Sequence, residues 1–126
     1  MAATEEPQAY AKLWGRRGDD EFSAFVVSLP TKLGRVSSSS VDDPSFISLG
    51  DSKALSRVHA TIDWVPSEQV YKIKCHGKNG MIVAGKWRGP FGEEMLQSRT
   101  PIKMGPCMMY FLLPEGAKSQ GNAPAP

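Results

Sequence analysis

Val58-His59-Ala60-Thr61-Ile62-Asp63-Trp64-Val65-Pro66-Ser67-Glu68-Gln69-Val70-Tyr71-Lys72-Ile73-Lys74-Cys75-His76 is the stretch on which the fold turns. Val58, Ala60, Ile62 and Trp64 alternate with His59, Thr61 and Asp63, which is the period of a half-buried strand. Pro66, Ser67 and Glu68 make a turn. Tyr71, Ile73 and Cys75 then alternate with Lys72, Lys74 and His76. The pattern predicts two strands folded back on one another as an antiparallel hairpin.

Working outward, Phe22 to Leu29 is apolar and partly β-branched and stops at Pro30; Met81 to Ala84 and Met108 to Leu113 are further short strands, the last stopped by Pro114. Gly, Pro, Asn and Asp punctuate them at near-regular spacing. The expectation is an all-β fold, an antiparallel sandwich of two twisted sheets with loops gathered at its ends.

Composition agrees. The chain has 126 residues, 12 Gly and 10 Pro, and the longest stretch free of both runs only from Asp51 to Val65. A helix bundle needs several longer uninterrupted segments. A membrane-spanning helix needs about 20 apolar residues in a row, and there is no such run. The start, MAATEEPQAY, has no basic patch leading into an apolar core, so it does not read as a secretory signal. Residues 1–9 and 115–126 are small and polar and are expected to be unstructured, leaving 10–114 as the domain. Ser37 to Ser40, followed by Val41, Asp42, Asp43 and Pro44, has loop composition.

Charge narrows the partners. Fifteen Lys and Arg against 13 Asp and Glu leave a net charge of +2, below the basic surplus usual in a protein that binds nucleic acid through its backbone, though a small local basic site stays open. Cys75 and Cys107 are too few for a disulfide scaffold or a zinc site, and are expected to be reduced, buried core side chains. Trp14, Trp64 and Trp87 are too scattered for a base-stacking platform and are expected to pack in the core or on a sheet face. His76 is expected to be an exposed strand residue.

The polar residues that carry chemistry fall between the strands. They form three clusters: Gly34-Arg35, Ser56-Arg57-Val58-His59, and Lys78-Asn79-Gly80. Loops at one end of a sandwich converge. If these share an end, they gather Arg35, Ser56, Arg57, Lys78 and Asn79 around one spot. Arg offers a planar fork of donors for a tetrahedral oxyanion, Ser a hydroxyl donor, and Lys a point charge. Asn pairs with both main-chain groups of a peptide. No nucleophile with a general base can be assembled, and no carboxylates are placed for a metal. The set suits a receptor for a dianion carried on a peptide, with no enzymatic step and no cofactor.

The order GR, then S-R-x-H, then N-G before an apolar strand resembles the forkhead-associated (FHA) domain, a phosphothreonine-binding module with an FHA/SMAD-like sandwich. The flavour is that of forkhead-type transcription regulators and related nuclear proteins, which share runs like Gly77-Lys78-Asn79-Gly80. Phe46-Ile47-Ser48-Leu49, Leu55 through Ala60, and Asn79 through Val83 carry the resemblance. It implies that Arg35 and Ser56 bind phosphate, that Arg57 and Lys78 add phosphate or peptide contacts, and that Asn79 bonds the ligand main chain. It implies that His59 braces the loops, with Gly34 and Gly80 supplying backbone shape. Lys78 departs from the Thr or Ser of many members, and Ala84 replaces a polar residue common after the N-G strand. The implied partner is a phosphothreonine-containing protein in nuclear signalling or transcription regulation, located in the nucleus or there and in the cytoplasm. No small-molecule substrate, membrane or directly bound nucleic acid is implied. Oligomeric state stays open. The rival reading is a phosphate-independent protein-binding or dimerisation sandwich.

Overall fold

The computed structural model describes residues 10–35 and 45–114. The expectations for 1–9, for the serine run within 36–44 and for 115–126 lie outside these residues. Eleven strands are present among them: β1 (Ala11–Arg17), β2 (Asp20–Val26), β3 (Thr31–Gly34), β4 (Phe46–Ser48), β5 (Ala60–Val65), β6 (Val70–Cys75), β7 (Met81–Val83), β8 (Lys86–Arg88), β9 (Glu93–Leu96), β10 (Thr100–Met104) and β11 (Cys107–Leu112). They form a six-stranded sheet in the order β2-β1-β11-β10-β7-β8 and a five-stranded sheet in the order β4-β3-β5-β6-β9. Every pairing is antiparallel except β3 with β4, which run parallel. The expected all-β sandwich is the fold, with that one parallel edge.

The founding hairpin forms as β5 and β6, with Ala60 opposite Cys75 and Val65 opposite Val70. Its turn is one residue longer than expected: Glu68 and Gln69 both donate to the Val65 carbonyl, and Gln69 takes a φ of 59°. The strand begins two residues later than the alternation suggested. Val58 is exposed and His59 is fully buried, the reverse of their expected faces. The reason is that both precede β5: the His59 N–H donates to Leu33 and its carbonyl accepts from His76 and Gly77, outside the regular ladder. Likewise β2 ends at Val26 and not at Leu29, since the Thr31 hydroxyl bonds the Ser28 carbonyl as the chain turns into the second sheet.

Period-two burial on both sheets builds one core. Leu13, Val26, Ile102, Met109 and Phe111 from the larger sheet meet Leu33, Ile62, Tyr71, Ile73 and Leu96 from the smaller. Tyr71 joins the layers, with Trp64 edge-on at 4.9 Å and Phe111 at 5.4 Å. Burying side chains of this kind contributes roughly 1.5–3 kcal/mol each. Cys75 and Cys107 are buried thiols, one per sheet. Trp64 packs against the core, whereas Trp14 and Trp87 lie exposed on the outer face of the larger sheet.

One open edge is closed by charge. β8 ends the larger sheet and β9 the smaller, and Arg88 spans them, its Nη2 2.7 Å and its Nε 3.1 Å from Glu94 Oε1. Glu94 is largely covered, so this pair is screened less than a surface pair. Glu94→Gln keeps the shape and removes the charge; thermal denaturation should show a loss of about 1 kcal/mol, or about 4 °C in Tm.

β7 and β8 are joined by a two-residue turn in which Ala84 (φ 53°) and Gly85 (φ 81°) are both left-handed. That is the type I′ turn, which favours Asn-Gly, and alanine there carries about 1 kcal/mol of steric penalty. Ala84→Asn is therefore expected to raise Tm by about 4 °C in the same assay. A lower Tm would show that the turn gains nothing from an Asn side chain.

Candidate functional site

The three clusters meet at one end of the sandwich, and backbone chemistry brings them there. Arg35 N–H donates to the Ser56 carbonyl at 2.9 Å, continuing the β3 line past its last residue, Gly34. Gly34 lies so close to the facing chain that an added Cβ would sit 1.9 Å from the Arg57 carbonyl oxygen. Only a residue without a side chain permits that approach, and it places Arg35 beside Ser56.

His59 ties the second cluster to the third. Its Nδ1 accepts the Ser56 N–H at 3.0 Å, so the proton sits on Nε2, which donates to the Gly80 carbonyl at 2.8 Å. One buried ring thus fixes Ser56 on one side and the Asn79-Gly80 turn on the other. The turn is closed by Gly80 N–H donating to Gly77 at 3.1 Å, with Gly80 at a φ of 76°. Asn79 reaches back through Nδ2 to the Ala54 carbonyl at 2.9 Å, a second tie between the same loops. Leu55, fully buried, anchors the intervening segment against Gly105.

Gly77 belongs to this framework too, beyond the Gly34, His59 and Gly80 that the sequence points to. An added Cβ there would meet the His59 ring at 2.4 Å, nearer than any side chain could sit. The Gly77-Lys78-Asn79-Gly80 run was the visible signal, but the need for the first glycine appears only once the ring is placed.

The polar groups expected to face a ligand are available. Among the described residues, the Arg35, Arg57 and Lys78 side chains make no ion pair and the Ser56 hydroxyl makes no hydrogen bond. Arg57, Lys78 and Asn79 are exposed, while Arg35 and Ser56 are half-buried. Arg35 and Ser56 are joined through their backbones, with exposed Arg57, Lys78 and Asn79 on the same loops; guanidinium, hydroxyl and ammonium are donor types suited to a dianion. The thiols beneath are inert: burial pushes Cys75 and Cys107 above the ordinary thiol value, and they donate to the Gly77 and Leu49 carbonyls. His76, exposed and bonded to Thr61, has its pKa lowered by partial desolvation and by the Lys74 charge, and it meets the framework only through its backbone N–H to the His59 carbonyl.

The chain matches the family model described as "FHA domain" over residues 31–105. It is 33% identical over 106 residues to the FHA domain-containing protein FHA1 of Arabidopsis thaliana, covering 83% of this chain and 41% of that protein. It is 29% identical over 119 residues to the fork-head transcriptional regulator 2 of Candida albicans, covering 87% of this chain and 17% of that protein. The chain therefore spans less than half the length of either relative. In fold it is similar to the N-terminal FHA domain of S. cerevisiae RAD53P, solved in complex with a phosphothreonine peptide, with a TM-score of 0.66 and 11% identity over 84% of this chain and 94% of that one.

Proposed function

We propose, because this chain belongs to the FHA domain family, that it is a phosphothreonine-dependent protein-interaction module that binds without catalysing. The carrying observation is the single His59 ring that holds Ser56 and the Asn79-Gly80 turn together beside Arg35. Arg35 and Ser56 take the phosphate, and Arg57 and Lys78 add charge at its rim. Asn79 exchanges its Ala54 contact for the main chain of the peptide. The binding unit is residues 10–114. The pairing of FHA sequence with fork-head and transcriptional naming in a relative supports a partner in nuclear signalling or transcription regulation.

Several charge-assisted hydrogen bonds at roughly 1.5–3 kcal/mol each suffice for selective capture once desolvation and ordering are offset. The test is a titration against a degenerate phosphothreonine peptide library, with phosphoserine and unphosphorylated controls. Binding confined to phosphorylated peptides is the expected result. Equal binding of the unphosphorylated set would return the sandwich to a phosphate-independent interaction role.

A further inference from the structure

Of the eight large apolar side chains that stand exposed among the described residues, five share one surface: Trp14, Phe25, Ile82, Trp87 and Met108 all point outward from the six-stranded sheet. Trp14 stacks on Tyr110 at 6.3 Å, and with Met108 and Arg16 these rings line an open groove of about 240 Å³. Exposed apolar area gathered on a single face marks a surface that meets another molecule.

The charges on that face are one-sided. The outward positions of its strands carry Lys12, Arg16 and Lys103 against one acid, Glu21. Glu21 is already engaged, accepting from Trp14 Nε1 at 2.8 Å. Two copies of this face, each with three cations and one acid, would meet with like net charge, which disfavours self-pairing. An acidic segment carrying large apolar residues is the complementary partner.

The face also runs into the candidate phosphate site. In register across the sheet, Arg16 lies opposite Glu21 and Met108, Met108 opposite Lys103, Lys103 opposite Ile82, and Ile82 opposite Trp87. The ring of Trp87 lies against Gly80, where an added Cβ would be 2.8 Å away. The row therefore ends at the Asn79-Gly80 turn.

We infer that the outer face of the six-stranded sheet is a second docking surface, which takes an acidic, apolar segment of the same partner whose phosphothreonine occupies the loops. This inference rests on the proposed function for the identity of the partner, though the face has its own chemistry. Linking two weak contacts on one chain raises affinity without new contacts at either.

The experiment uses the full chain and a phosphothreonine core peptide, the same core extended by an Asp-rich segment carrying Leu and Phe, the extension alone, and the extended peptide with Lys in place of Asp. Calorimetry should give the acidic extension about tenfold tighter binding than the core, and the Lys version no gain. Arg16→Glu with Lys103→Glu should erase that gain while leaving the affinity of the core unchanged. Trp14→Ala, with its Tm recorded, should reduce the gain by an independent route. Equal affinities of core and extended peptides overturn the proposal. So does a gain that survives both variants, or a face that proves on sedimentation to be covered by a second copy. If the core fails to bind and the extension alone still binds through Trp14, the phosphothreonine reading falls and the docking face stands.

Discussion

Arg35→Ala is expected to weaken phosphopeptide binding by about a hundredfold or more while leaving the domain folded. A guanidinium fork makes two charge-assisted hydrogen bonds to a phosphate, each at roughly 1.5–3 kcal/mol, and tenfold in affinity corresponds to about 1.4 kcal/mol. The fold should not notice. The structural contact of Arg35 is its backbone N–H to Ser56, which alanine retains. Truncating a half-buried side chain that makes no ion pair costs at most about 1 kcal/mol in stability. Arg35→Lys keeps the charge and loses the fork, so it should fall between the two. Titration calorimetry with thermal denaturation on the same samples separates affinity from stability. A folded Arg35→Ala protein that binds like wild type would remove Arg35 from the site.

The second large effect comes from a residue that no ligand can touch. His59 is fully buried, yet its ring satisfies the Ser56 N–H and the Gly80 carbonyl from opposite sides. His59→Ala orphans both groups and opens a cavity. Unsatisfied buried groups cost about 1–3 kcal/mol apiece, so a loss of about 3 kcal/mol, or about 10 °C in Tm, is expected. Phosphopeptide affinity should fall with it, because Ser56 and Asn79 lose their common support. Gly77 supplies the control. The nearest atoms to a Cβ added at Gly77 all belong to the His59 ring, so Gly77→Ala should be severe in the wild-type background and much milder when residue 59 is already alanine. That non-additivity, read in a double-mutant cycle, isolates the ring from general damage. Strictly additive losses would refute the coupling.

How much of this was readable beforehand depended on whether a signal was local. The β5–β6 hairpin was, because its alternation and its Pro66 turn are written in consecutive residues. The candidate site was legible as three separated motifs, since Arg, Ser and Asn types beside glycine suit a dianion carried on a peptide; phosphothreonine entered only through the resemblance to FHA domains. Other features were not local. Lys86-Trp87-Arg88 and Glu93-Glu94-Met95-Leu96 are strands by virtue of their partners, with too few apolar positions to announce themselves. β10 contains Pro101, which normally argues against a strand interior; here its side chain faces outward and its carbonyl accepts from Ala84. The faces of Val58 and His59 were inverted because alternation holds only inside a ladder, and both stand before it.

The two thiols offer a clock for the motions of each layer. Cys75 lies in the smaller sheet under the Gly77 turn, Cys107 in the larger under Leu49. Burial raises both above the usual thiol value, so below that value an alkylating reagent meets a protonated, enclosed group. Modification then requires opening, and its rate measures how often each sheet parts. A phosphopeptide bound at the candidate site should slow the reaction at Cys75 more than at Cys107, turning two silent core residues into separate reporters of local breathing.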